Sequence, residues 1–361
     1  MKTQLLFKAV YILFLIPAIA LSTNGLKGKY NKEKTIKKEY TVNSNALLKI
    51  DNSYGNLDIV TYNGNKITIE VTIKVSGNDE DKVQKKLDDI HVVFNASSSM
   101  VDAKTVFNNN KKSWWNWGSN NNINMEINYL IKLPITNSVD LNNDYGSINL
   151  DKLEGKATIN CDYGKITTKE LMAENNSLTF DYTNNSYFEY INSGKINADY
   201  SEFTVSKTKK LAITADYTKS VIEIAEDVSF NCDYGSVSIN KLNNVTGKGD
   251  YLTLRLGDVY KNVNLKGGYG SIKIDQMTAN AGNIDIVSNY IGITIGYHPE
   301  YHFNFDINTN YSSLRNTEDF NFTKNQTNSN NHQYQGFYGS ASTSNLIRIN
   351  SDYGGVTFKK N

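Results

Sequence analysis

The stretch 157–167 reads Ala157-Thr158-Ile159-Asn160-Cys161-Asp162-Tyr163-Gly164-Lys165-Ile166-Thr167. Ala157, Ile159, Cys161 and Tyr163 alternate with Thr158, Asn160 and Asp162. That is the pattern of a strand with one buried face. The same parity recurs in Ile213, Ala215, Tyr217, in Phe230, Cys232, Tyr234, in Phe303, Phe305, Ile307, Thr309, Tyr311, and in Ile347, Ile349, Ser351, Tyr353. The tyrosine shares the apolar parity. It is therefore expected to close each strand at the core's edge, its ring packed on its neighbours and its hydroxyl reaching water.

Working outward, twelve such tyrosines appear: Tyr54, Tyr145, Tyr163, Tyr182, Tyr200, Tyr217, Tyr234, Tyr251, Tyr269, Tyr290, Tyr311 and Tyr353. From Tyr145 to Tyr269 the steps are 18, 19, 18, 17, 17, 17 and 18 residues, followed by 21, 21 and 42. A fixed period near 18 means one structural unit repeated, a solenoid. A second short strand follows each tyrosine, as in Ile148 and Leu150, Val237 and Ile239, or Ile272 and Ile274. Gly146, Gly164, Gly235, Gly270 and Gly354 mark a corner between the two. Thr183, Ser201, Thr218, Leu252 and Ile291 occupy that slot elsewhere, so the slot itself does not demand a positive φ. Short strands and corners at this period make an all-β chain, each unit one coil of a parallel β-helix.

Composition agrees. Charge is balanced, 38 Lys+Arg against 37 Asp+Glu, which argues against a nucleic-acid partner. Only three prolines occur among abundant Gly, Asn and Tyr, which favours strands and turns. Lys2, Lys8, an apolar run Ala9–Leu21 and the small residues Ala18, Ala20 and Ser22 read as a signal peptide over 1–22. An uncleaved membrane anchor is the alternative. No later stretch is apolar enough for a spanning helix, so the mature chain is expected in the periplasm or at the cell surface. Cys161 and Cys232 hold the same slot four rungs apart, about 19 Å at the usual strand spacing. A disulfide needs Cα atoms within about 7 Å, so two buried free thiols are expected.

Beside the tyrosines runs a column of acids: Asp144, Asp162, Asp181, Asp199, Asp216, Asp233, Asp250 and, after Gly268, Asn289 and Asn310, Asp352. Asn at two positions favours corner capping, each carboxylate accepting backbone N–H groups in an Asx-type turn. A Ca²⁺ ladder is the alternative, without the glycine–aspartate nonapeptide of calcium-binding β-rolls. No metal or cofactor is expected.

The first rung is read in Ala46, Leu48, Ile50, Asn52 and Tyr54, within a segment 23–59. Residues 60–135 read as an inserted side module. Asn63-Gly64 is a hairpin turn, Ile67 to Val75 alternate, and Val83, Leu87 and Ile90 give one helix face after Asn78-Asp79-Glu80-Asp81. Its loop carries Trp114, Trp115 and Trp117, the chain's three tryptophans. They read either as an exposed platform for a glycan or partner, or as a cover for the solenoid's open end. Residues 136–361 form the helix proper, interrupted by an Asn/Gln-rich stretch, 316–344, expected to be a long flexible loop.

Catalytic motifs are sparse. His298 and His302 flank Pro299 in a turn, which forbids a helical zinc pair. Acid pairs on adjacent rungs, such as Asp162 with Asp181, would stand near the ~5 Å of a retaining glycosidase. Every rung offers the same pair, however, as a structural repeat does. The chain therefore reads as a non-enzyme.

The first rung Asp51-Asn52-Ser53-Tyr54-Gly55, the Asn-Gly hairpin, the acid-capped helix, Leu133-Pro134 and the Asp-Tyr-Gly-x-Ile-x-Ile units together resemble a known family. It is the β-strand-repeat "putative adhesin" family of bacterial envelope proteins, in its Bacteroidetes form. The likeness covers about residues 40–361, departing where Thr183, Ser201 and Thr218 replace Gly. It implies a right-handed parallel β-helix and an adhesin-like binding or structural role, with a glycan or another envelope protein as partner. It carries no catalytic residues. Two alternatives stay open: a carbohydrate-active β-helix enzyme, and a periplasmic component of envelope-stress signalling, the latter implied by the genes that neighbour such families. Oligomeric state is not legible.

Overall fold

The computed structural model describes residues 28–108 and 123–361. The expected signal segment 1–22 and Trp114, Trp115 and Trp117 lie outside the described residues. The N-terminal part runs β1 (Tyr30–Thr41), β2 (Leu47–Ser53), β3 (Leu57–Tyr62), β4 (Lys66–Gly77), α1 (Glu80–Asp89), β5 (Ile90–Ala96), β6 (Met100–Phe107) and β7 (Asn124–Pro134). The repeats follow as β8 (Ser138–Asp144), β9 (Ser147–Leu150), β10 (Ala157–Asp162), β11 (Lys165–Leu171), β12 (Asn176–Asp181), β13 (Ser186–Asp199), β14 (Glu202–Asp216), β15 (Lys219–Asp233), β16 (Ser236–Val259), β17 (Val263–Met277) and β18 (Ile284–Tyr297). The C-terminal part is β19 (Phe303–Asn310), β20 (Leu314–Arg315), β21 (Asn321–Asn328), β22 (Asn331–Tyr338), β23 (Leu346–Asp352) and β24 (Val356–Lys360). The chain is nearly all β, and these strands join one large mixed sheet, mostly parallel.

Each repeat supplies a run before its tyrosine and a run after it. Runs before the tyrosine pair in parallel, placing Leu141 beside Ile159, Ile159 beside Leu178, Leu178 beside Ile196 and Ile196 beside Ile213. Runs after it do the same, through Ile148 and Ile166, Phe188 and Val205, and Val205 and Ile222. The alternating apolar residues of both runs face each other in one core, fully buried at Leu141, Ile159, Ile166 and Ile222. Burial of this kind stabilises by about 1.5–3 kcal/mol per aliphatic side chain. The two thiols are free and buried there, and burial pushes each up to about 12.

β2 and β3 lie directly against β8 and β9, Leu48 beside Val139 and Leu57 beside Ile148. The segment between them extends the same two faces outward. β6 pairs in parallel with β2 and antiparallel with β5; β7 pairs in parallel with β3 and antiparallel with β4, which pairs with β1. Helix α1 is capped by Asp79, whose side chain accepts from the Lys82 N–H at 3.1 Å, and it buries Val83 and Leu87. A buried polar relay joins this part to the first repeat. The Tyr129 hydroxyl meets Thr105 Oγ1 at 2.7 Å, and Thr105 donates to Asn52 Oδ1 at 2.9 Å. Asn52 Nδ2 in turn donates to Asn143 Oδ1 at 2.9 Å.

One expectation is corrected at the C-terminal end. Residues 316–344 are not a structureless loop, because β21 and β22 form an antiparallel hairpin and β22 pairs with β19. Asn/Gln-rich sequence is indifferent to strand or coil, and the free edge of β19 decides. Moreover, the last segment does not follow β19 in space. β23 inserts between β18 and β19, with Ile347 flanked by Ile284 and Phe305, and Ile349 by Ile286 and Ile307. β24 likewise lies between β18 and β20.

Candidate binding surface

All twelve ladder tyrosines adopt a positive φ, 50° to 64°. Seven of them, from Tyr54 to Tyr234, close the first run with the N–H donating to the aspartate carbonyl of the next repeat, as Tyr145 does to Asp162 at 2.9 Å and Tyr200 to Asp216 at 3.0 Å; Tyr311 and Tyr353 donate to the Asn330 and Asn310 carbonyls. A left-handed residue interrupts the alternation, so its side chain does not follow the inward parity. The expected edge-of-core position is therefore corrected: the rings stand outside, and from Tyr145 onward they are 46–56% exposed. The glycine slot behind them is set by close approach. A Cβ on Gly146 would stand 1.8 Å from the Gly55 carbonyl oxygen. Where Ser201 and Thr218 replace it, their hydroxyls donate to the Asp199 and Asp216 carbonyls.

The rings form one unbroken stack, with centroids 4.7–5.2 Å apart and planes within 7° of parallel. Its spatial order ends Tyr290, Tyr353, Tyr311, which follows from the inserted strand. A left-handed conformation costs a residue with a Cβ about 1–2 kcal/mol, and each ring pair returns about 0.5–1.5 kcal/mol. Tyr200→Ala is expected to destabilise the chain by about 1–3 kcal/mol, since it loses two stacks and keeps the strain. Tyr200→Gly should cost about 1 kcal/mol less than the alanine variant. Urea unfolding of the pair checks the order; an alanine variant at least as stable as the glycine one would contradict it.

The aspartate column lies beside the rings. Its carboxylates do accept backbone N–H groups, but from the next repeat instead of their own turn. Asp162 Oδ1 accepts from Asp181 at 3.1 Å, Asp181 from Asp199 at 2.9 Å, and Asp233 from Asp250 at 2.7 Å. The bond thus runs along the stack and fixes the register between repeats. Burial pushes the Asp144 carboxyl above its ordinary value, and the charges of Asp162 and Asp51 push the same way. A raised carboxyl binds protons more tightly folded than unfolded, so its contribution to stability falls as pH rises past its unfolded value of about 3.9. Asp144→Asn should therefore raise the melting temperature at pH 7, and the gain should vanish below about pH 4. A gain that persisted in acid would point to packing instead of charge.

Elsewhere, His298 sits in the turn between β18 and β19, its Nδ1 accepting from Glu300 N–H at 3.1 Å. His302 lines a shallow open hollow of about 300 Å³ with Glu300, Ser340, Thr343 and Asn345. Among the described residues, no three His, Cys, Asp or Glu side chains converge as metal ligands, and no helix is long and apolar enough to cross a membrane. Sequence reasoning found the tyrosines but missed their exposure. The alternation itself carried no signal for it, since the tyrosine shares the parity of the buried residues.

No family model matches this chain, and no curated protein does. Solved structures similar to it include a "putative cell adhesion protein" from Clostridium sporogenes, 12% identical, covering 91% of this chain and 100% of that one, TM-score 0.18. A "putative adhesin" from Bacteroides fragilis is 11% identical, covering 91% and 97%, TM-score 0.25. A "putative lipid binding protein" from Parabacteroides distasonis is 9% identical, covering 90% and 96%, TM-score 0.31. The two adhesion descriptions agree with the family that the sequence resembles, while likeness at this level carries no argument about function.

Proposed function

We propose that this chain is an exported, non-catalytic β-solenoid, a right-handed parallel β-helix acting as an adhesin-like binding or structural protein of a bacterial cell envelope. Residues 1–22 are its signal peptide, 23–59 its N-terminal strand and first rung, 60–135 its inserted side module and 136–361 its parallel β-helix. The observation that supports this most directly is the stack of half-exposed tyrosines, repeated along the sheet without local departure. A catalytic groove would break such a repeat; a scaffold or an extended contact surface preserves it. Exposed aromatic side chains with polar tips suit partner contact.

The binding role falls to Trp114, Trp115 and Trp117, with a glycan or another envelope protein as partner. Purified protein on a soluble-glycan array is expected to show binding that is lost when all three tryptophans are replaced by alanine. Binding that survives the triple replacement would remove the tryptophans from the site. Product formation from a polysaccharide panel would replace the whole reading with an enzymatic one.

A further inference from the structure

The two faces of the sheet end differently. The face formed by runs before the tyrosine ends at β5, beyond β6 and β2, and at β21, beyond β22, β19 and β23. The other ends at β1, beyond β4, β7 and β3, and at β20, beyond β24. Proteins guard open strand edges with lysine, proline or very short strands. The second face is guarded at both ends. β1 carries Lys32, Lys34, Lys37 and Lys38, β20 is two residues long, and β24 ends in Lys359-Lys360. The first face is guarded less, at one end only, where β21 has one lysine and a bulge. β5, Ile90-His91-Val92-Val93-Phe94-Asn95-Ala96, holds no Lys, Arg, acid or Pro, and among the described residues it pairs with β6 alone. β21 holds one charge, Lys324, whose Nζ donates to Gln333 Oε1 within its own hairpin. A bulge lies between Phe322 and Lys324, and the run Lys324–Asn328 beyond it is regular.

We infer that β5 of one copy pairs with β21 of the next, joining copies of this chain head to tail. The polarity fits. β2, β8, β10, β18, β23 and β19 run one way in this face, β5 runs against them and β21 with them. Two copies in the same orientation therefore present an antiparallel pair. The reach fits too. Beyond β2 and β18 the first face adds two strands at one end and four at the other, six in all. The second face adds three and two, five in all. Closing the first seam leaves the guarded edges about two strand spacings apart, ~9.6 Å, one strand short of pairing. The second seam thus stays open while the first zips. Such a contact is heterologous and does not close on itself, so it builds a filament. Strand order alone carries this assembly, and it holds whether or not the chain binds a glycan.

The free backbone groups are identifiable. Ser97 N–H and the Asp89 carbonyl point toward β6, so the alternation of an antiparallel pair turns Val92, Phe94 and Ala96 toward the open edge. The same rule applied from the two-residue turn at Ser329-Asn330 turns Asn325 and Thr327 outward in β21. Ala96→Pro and Asn325→Pro should each block one end without costing an internal bond. Sedimentation velocity of purified wild-type protein should show dimer, trimer and larger species growing with concentration. Each variant alone should be monomeric. An equimolar mixture of the two should form dimers and nothing larger, since each supplies the edge that the other has lost. If either proline disturbs the fold by circular dichroism, Asn95→Lys and Asn325→Lys replace the pair. A wild type that stays monomeric at every concentration overturns the inference. So does association that survives both blocks, or association lost with one block only, which would mean pairing of like edges.

Discussion

Removal of residues 346–361 is expected to unfold residues 303–338 while leaving the repeats before β18 intact. Among the described residues, β23 and β24 are the only strands that connect β19 and β20 to β18. Without them, β19, β22 and β21 are a three-stranded antiparallel sheet with nothing to join. The deletion also strips Ile347, Ile349, Val356 and Phe358, all fully buried, which is worth about 6–12 kcal/mol at 1.5–3 per side chain. In a repeat array each unit depends on its neighbours, so the loss stays at that end. Hydrogen exchange should show amides of β19 and β22 losing protection, while those of β13 to β15 keep theirs. Retained protection in β19 would mean that the three-stranded sheet is stable by itself.

Phe180→Ala is expected to cost about 3–5 kcal/mol, the range for a buried phenylalanine replaced in a packed core. Phe180 is fully buried and reaches across the interior to two rings of the other face, Phe188 at 5.9 Å and Phe203 at 5.6 Å. Ala198 lies beside it in the pairing register, and Cys161 holds the same slot one repeat earlier. One large side chain between two small ones fills the section, and neither neighbour can close the void that alanine would leave. Guanidinium unfolding gives the magnitude. Phe180→Leu, which keeps most of the volume, should lose far less. Equal losses would show that the site relaxes around either residue.

The repeat was legible because alternation and period are properties of the buried face, and that face is uniform from Leu141 to Ile286. The buried free cysteines followed from the same ruler. Helix α1 was legible through Asp79 and the spacing of Val83 and Leu87, with Ile90, also buried, opening β5. Three things were not. The tyrosine side depends on the sign of one backbone angle, and parity counting assumes that angle never changes sign. The place of β23 depends on which edge it joins, and steps of 21 residues to Tyr311 and 42 to Tyr353 allow either order. The β21–β22 hairpin takes its structure from β19, a partner distant from its own composition. The tryptophans lie outside the described residues, so their candidate role stays as the sequence left it.

The inserted C-terminal strand also sets a schedule. Ser288 and Ser351, 63 residues apart in sequence, share a hydrogen bond at 3.2 Å, and that place stays unfilled until residues 346–352 have emerged. The repeats up to β18 can assemble in order as they appear, each on the one before. Segment 303–338 must wait, holding at most its local hairpin. A chain cut short by premature termination or clipping would present β18 as an open, apolar edge, the kind of surface that chaperones and proteases recognise. Emergence of residues 346–361 and closure of this end of the sheet are therefore one event, and those residues act as its latch.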